Sequence, residues 1–120
     1  MVSLGLTTGM IDNSAVAGVR PTSTLVVRIA NDGASTSAVQ VNGYYQSGAG
    51  KVQYVAELLT LGAGSVVRRD YYAQFDGFEF QFLLTSPTLE PSVWGKDAQG
   101  NLVTAHRLVT KEVAVFGGDG

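Results

Sequence analysis

The sequence predicts an all-β chain folded as an antiparallel β-sandwich, jelly-roll or immunoglobulin-like, with about eight strands and an N-terminal extension strand. Short stretches of alternating apolar and polar residues recur at intervals of about 8–14 residues, as expected for sandwiches and barrels. Clusters of turn-forming residues, such as 31–35 and 47–50, separate these stretches. No apolar pattern with the helical period extends over about ten residues or more.

The composition fits one compact domain. The chain has 120 residues, of which 45% are hydrophobic and 15% are charged. A chain of this length forms one domain and can build one hydrophobic core. It contains no cysteine, which excludes disulfides, zinc–thiolate sites and cysteine nucleophiles.

The charge pattern argues against nucleic-acid and membrane partners. The net charge is −2 and the basic residues are scattered, whereas phosphate binding needs a basic patch. No apolar run approaches the ~20 residues that cross a bilayer. The N-terminus lacks a basic stretch followed by an apolar one, so we expect no secretory signal peptide and synthesis in the cytoplasm.

The first ten residues alternate like a strand with one apolar face. The opposite face is nearly bare, with glycines that we expect to give clearance for neighbouring backbone. The segment has no charge, so we expect it to be covered by its own domain or by a second copy. The candidate interface residues are Val2, Leu4, Gly5, Leu6, Thr8, Gly9 and Met10.

Residues 11–22 interrupt the alternation and are interpreted as a linker. Asp12, Asn13 and Ser14 are turn-forming residues, and Pro21 stops a strand ladder. Twelve extended residues span roughly 40 Å, enough to carry the first strand to another molecule. The predicted organisation is a donor strand and linker over 1–22, a sandwich over 23–116 and a tail over 117–120.

The remaining strands follow from alternation and turns. Phe78, Phe80 and Phe82 fall on one face and predict the main core strand. Gly43, after Asn42, predicts a bulge rather than a hairpin. Residues 51–61 fit a strand or one short helix, and the strands around them favour a strand. The predicted strands cover 23–30, 36–46, 51–61, 65–72, 78–84, 89–96, 102–109 and 112–116.

No residue pattern indicates an enzyme, a metal site or a cofactor. His106 is the only histidine, and we expect it on a strand surface. Asp70, Asp76 and Glu79 could form an acid–base pair, but nothing in the sequence fixes the separation that such a pair needs, and ordinary surface and turn carboxylates explain them better. The loop 97–101 lacks the acidic repeat of a calcium loop. We therefore expect neither catalysis nor a bound cofactor.

Aromatic residues suggest an alternative function. Tyr44, Tyr45, Tyr71, Tyr72 and Trp94 could form a platform for a sugar. Adjacent strand residues point to opposite faces, so one tyrosine of each pair belongs to the core. The alternative is a monomeric binding module for a carbohydrate or protein ligand.

Two stretches resemble small β-sandwich proteins of spore-forming Firmicutes. They are residues 77–82, GFEFQF, and 93–109, VWGKDAQGNLVTAHRLV, and residues 66–72, VVRRDYY, fit the same pattern. The plan of the chain resembles the endospore appendage fibre subunits, which are single jelly-roll domains whose N-terminal connector docks on neighbouring subunits. Their better-known members carry connector cysteines that cross-link the fibre, and this chain has none.

These observations together predict a structural subunit that is not an enzyme. The first strand of one copy would complete a sheet of the next copy, which gives a non-covalent head-to-tail filament. The expected partner is the chain itself, with an anchoring or tip protein as a further partner. The resemblance implies a location on the cell or spore surface.

Overall fold

The computed structural model describes residues 4–111. These residues form strands and turns without a helix, so none of the described chain is a helix that could cross a membrane. The predicted class, an antiparallel β-sandwich, is confirmed. The strands are β1 Leu4–Thr7, β2 Ile11–Asp12, β3 Thr24–Asn31, β4 Ser37–Ser47, β5 Gly50–Leu61, β6 Val66–Tyr72, β7 Gly77–Leu84, β8 Leu89–Lys96, β9 Leu102–His106 and β10 Val109–Lys111.

The strands form two antiparallel sheets that pack face to face. The first sheet has the order β10-β1-β7-β4-β5, with β2 also paired to β7, and the second has the order β6-β3-β8-β9. The chain changes sheet after β2, β3, β5, β6, β7 and β9. In immunoglobulin domains the last two strands are neighbours in one sheet. Here the last two described strands, β9 and β10, lie in different sheets, which favours the jelly-roll alternative.

The core lies between the sheets and is built around β7. Phe78, Phe80 and Phe82 are fully buried, as their alternation predicts. They face the buried row Leu25, Val27 and Ile29 of β3. Because β7 lies between β1 and β4, the N-terminal segment pairs directly with the strand that carries this aromatic row.

Most features of the individual strands agree with the predictions from the sequence. The register between β4 and β5 shifts after Gly43, which confirms the predicted bulge. A Cβ on Gly43 would lie 2.7 Å from the Phe80 ring, so only glycine fits there. Residues 51–61 are strand, not helix. The strand over 102–109 ends at His106. The predicted strand 112–116 and the tail 117–120 lie outside the described residues.

Candidate functional site

The N-terminal segment lies inside the first sheet of its own chain. β1 pairs with β7 on one side, with Leu4 opposite Leu84 and Thr7 opposite Gln81. On its other side it pairs with the C-terminal strand β10. In the single chain, the predicted donor strand therefore completes its own sandwich. We refer to residues 4–13 as the arm.

A bulge divides the arm and changes which side chains face the core. Thr7 lies opposite Gln81 and Ile11 lies opposite Phe78, so the arm has one more residue than β7 between these points. Gly9, inside the bulge, has a φ of 68°. As a result Ile11 packs against the core, whereas Met10 is 44% exposed. Strict alternation over residues 1–10 predicts that Met10 shares the apolar face of Leu6, and the bulge makes this prediction wrong.

The other predicted interface residues have different surroundings. Leu6 packs against the core, Gly5 is buried and Leu4 is 41% exposed. A Cβ on Gly9 would meet no atom within 4 Å, so its predicted role as a clearance position is wrong. Its positive φ requires glycine instead. Val2 lies outside the described residues.

Thr8 links the bulge to β7. Its backbone N–H donates to the carbonyl oxygen of Phe80 at 3.0 Å. Its Oγ1 accepts the backbone N–H of Phe80 at 3.0 Å. The side chain thus replaces a backbone acceptor that the bulge displaces.

A buried carboxylate holds the polar side of the arm. The Glu79 carboxylate accepts hydrogen bonds from Thr7 Oγ1 and Lys51 Nζ, each at 2.6 Å. Gln81 Nε2 donates a third, at 3.1 Å. Burial alone would raise the pKa of Glu79, but these hydrogen bonds outweigh it and lower the pKa. The sequence alone does not predict this contact, because Thr7 and Glu79 are 72 positions apart.

Asn13 fastens the end of the arm. It is 1% exposed, and its Nδ2 donates to the carbonyl oxygens of Thr22, Ala73 and Phe75 at 2.9–3.1 Å. Its Oδ1 accepts the Thr22 N–H at 2.9 Å, and its own N–H donates to Asp76 O at 2.8 Å. A single buried side chain therefore satisfies four backbone groups.

The predicted linker is shorter than expected. Residues 11–13 belong to the arm, and the Asn13–Thr22 hydrogen bonds close the loop between them. Within the loop, Val16 and Val19 form an isolated bridge and are 70% and 62% exposed. We call residues 14–21 the hinge loop.

Each of the three candidate acid–base residues forms its own ion pair. Asp70 pairs with Arg68, Asp76 pairs with Arg20, and Glu79 pairs with Lys51. Within residues 4–111, no three histidine or acidic residues are grouped as metal ligands would be. In the loop 97–101, the Asp97 carboxylate accepts the backbone N–H groups of Gln99 and Asn101, which is turn chemistry.

His106 faces inward rather than lying on the surface. It is opposite the buried Val93, and its ring packs edge-on against Phe78 at 6.2 Å. Its Nε2 is buried and has no hydrogen-bond partner among the described residues. Burial lowers the pKa of His106.

The aromatic residues do not form one platform. Tyr45 stacks on Phe75 at 4.6 Å, at one end of the space between the sheets. Tyr44 lies beside Lys51, whose Nζ is 4.8 Å from the ring centre. Trp94 is in the second sheet and is 39% exposed. It lines a groove of about 410 Å³ together with Val26, Arg28, Arg68, Lys96, Gly100 and Leu102.

The sequence contains no sign of that groove. Arg28 and Lys96 come from β3 and β8, which are paired with Thr24 opposite Lys96. The pair Arg68–Arg69 is too short for an anion patch by itself, and the two side chains point to opposite faces. Only the strand order brings Arg28 beside Arg68.

Comparison with known proteins adds no family assignment: no protein-family model, no curated protein and no solved structure matches the chain.

Proposed function

We propose that this protein is a structural subunit that assembles into a non-covalent fibre on the cell or spore surface by exchanging its arm between copies. The observation that supports this most directly is the interior position of β1, between β7 and β10. An arm in that position is needed to complete the sheet, whichever copy supplies it.

Nearly all contacts of the arm are made with the rest of the domain. The ladder to β7, the Thr7–Glu79 hydrogen bond and the Thr8–Phe80 hydrogen bonds are examples. Asn13 adds bonds to Ala73 and Phe75. A neighbouring copy offers the same groups of β7 and of Ala73 and Phe75, so an exchanged arm keeps these contacts. It loses only the contacts that Asn13 makes with the hinge loop and with Thr22, the residue that follows the loop.

The hinge loop is suited to open for this exchange. Residues 14–19 are exposed, and within residues 4–111 their only backbone pairing is the isolated Val16–Val19 bridge. Eight residues span roughly 26 Å when extended. An arm passed from each copy to the next gives a heterologous contact, which continues as an open filament.

An arm docked in its own domain (self-docking) and an arm docked in a neighbouring copy (exchange) differ little in contact energy. The tethered arm meets its own groove at an effective concentration of about the millimolar range. Self-docking therefore dominates in dilute solution, and exchange needs a high local protein concentration. We expect monomers at low concentration and filaments at high concentration.

Light scattering and negative-stain microscopy over a concentration series test the proposal. The wild type should form filaments, and Leu6→Asp should abolish them, because Leu6 packs against the core. The matched control is Leu58→Asp on β5, since Leu58 is 65% exposed and its replacement should leave assembly intact. A wild type that stays monomeric at every concentration contradicts the proposal, whether or not Leu6→Asp folds.

A further inference from the structure

The outer face of the second sheet carries an ordered grid of side chains around Trp94. The register places Val26 directly beside Trp94, and Asp70 on the other side of Val26. The next row contains Arg68 and Arg28. The row on the opposite side contains Lys96, opposite Leu102.

The floor of the Trp94 groove is apolar. Val26 belongs to this outer face, yet it is only 4% exposed, because its larger neighbours cover it. Trp94 remains 39% exposed and thus offers indole surface to a ligand. The volume of about 410 Å³ lies within the range of small-molecule sites, about 300–1,000 Å³.

The rim of the groove is positively charged. Three lining residues are cations, Arg28, Arg68 and Lys96. Asp70 neutralises one of them through two hydrogen bonds to Arg68, at 2.9 and 3.2 Å. Arg28 and Lys96 have no carboxylate within 4.0 Å among the described residues. The groove therefore carries an excess of positive charge in a chain whose net charge is −2.

We propose that the Trp94 groove binds an acidic polysaccharide whose sugars carry carboxylates. A sugar ring has apolar C–H faces that pack on an indole, and its carboxylates form charge-assisted hydrogen bonds with guanidinium and ammonium groups. Arg28 on one side of the Val26–Trp94 row and Lys96 on the other suit a chain of several sugars that carries more than one carboxylate. This site is on the sheet that does not contain the arm, so it does not depend on fibre assembly.

A nucleic acid is the less suitable occupant. It needs a basic patch or stripe that neutralises several successive phosphates. The groove offers two cations without carboxylate partners, and Asp70 lies beside them. A thymidine oligonucleotide is therefore included in the test as a competing ligand.

Tryptophan fluorescence provides a direct test, because Trp94 is the only tryptophan in the chain. The probe is an oligogalacturonate, and its methyl ester is the uncharged control with the same sugars. The oligogalacturonate should change the emission of Trp94 saturably, with weaker binding at high salt. The methyl ester should bind about tenfold more weakly or not at all.

Variants distinguish binding in the Trp94 groove from a general effect of the protein's positive charge. Arg28→Gln and Lys96→Gln should each weaken binding about tenfold. Arg107→Gln removes the same charge from an exposed residue that does not line the groove and should leave binding unchanged. Trp94→Phe, measured by calorimetry, should weaken binding while the protein remains folded.

Three results overturn the proposal. The first is an absence of binding to the oligogalacturonate. The second is equal binding of the methyl ester or of the thymidine oligonucleotide. The third is an equal loss of affinity in Arg107→Gln. None of these results bears on filament formation, so the two proposals fail independently.

Discussion

His106 is the residue whose ionisation we expect to affect stability most near neutral pH. Its ring lies between the sheets and its Nε2 has no partner among the described residues. Burial lowers its pKa from the usual 6.5. Between the two pKa values, His106 is therefore protonated in the unfolded chain and neutral in the folded chain.

The sign of the pH effect follows from this lowered pKa. Above about pH 6.5 the side chain is neutral in both states, and its contribution to stability is fully present. As the pH falls below that value, the free energy of unfolding should decrease until the folded pKa is reached. Urea unfolding of the wild type and His106→Gln between pH 7.5 and 5 measures this.

The variant should show a flatter pH dependence over that interval. The carboxylates with lowered pKa, such as Glu57 and Glu79, lose their contribution only at lower pH, so they do not mask the effect. Arg107→Gln is the control. An identical pH dependence in wild type and His106→Gln contradicts this account of His106.

Several residue roles depended on partners far away in sequence. The alternation of the first ten residues predicted an apolar side, and Leu6 does pack against the core. Nothing local indicated that Thr7 binds the carboxylate of Glu79. Asn13 looked like a turn residue, yet its amide joins the arm to Ala73 and Phe75. Such contacts exist only once the strand order is known.

At the scale of elements, the strands with simple alternation were the most predictable. β3 and β5 to β8 lie close to their predicted positions, because period-two burial and turn residues mark them directly. The arm was harder, since its bulge moves Ile11 rather than Met10 toward the core. A one-residue insertion reverses every later side chain, and the glycine that permits it resembles any other glycine in a strand.

The hinge loop gives a prediction at this scale. Deleting residues 14–21 should stop the arm from reaching its own groove, because Asn13 would be joined directly to Thr22 and the chain could not turn back between them to make the Asn13–Thr22 hydrogen bonds. The exchanged arrangement does not need that closure. The deletion should therefore shift assembly to a protein concentration about tenfold lower or more, measured by light scattering.

A matched control keeps the loop length unchanged. Replacing residues 14–21 by eight serines preserves the length of the loop and should leave the concentration dependence near that of the wild type. If the shortened protein is a folded monomer at all concentrations, the hinge loop does not control exchange.

At the scale of the whole molecule, the sequence predicted the class and the position of the core. Turn chemistry and the phenylalanine row of β7 were sufficient for that. The sequence did not predict which strands are neighbours, because pairing between β3 and β8 involves positions 58–72 apart. The Trp94 groove was missed for this reason, since its cations come from three strands.

The central question at this scale is which copy supplies the arm. Thr7 and Gln81 lie directly opposite each other. The neighbouring Thr8 N–H donates to Phe80, so the Thr7–Gln81 pair is a non-hydrogen-bonded one, with Cα atoms about 4.5 Å apart. That separation suits a disulfide, and the chain has no other cysteine.

The most direct measurement is a non-reducing denaturing gel of the double variant Thr7→Cys, Gln81→Cys. The reduced protein is first concentrated until scattering is constant and is then oxidised, with each single variant as a control. Arm exchange predicts a ladder of covalently linked chains that collapses to monomer on reduction. A single monomer band with an internal disulfide would show that each arm stays in its own domain and would contradict the account.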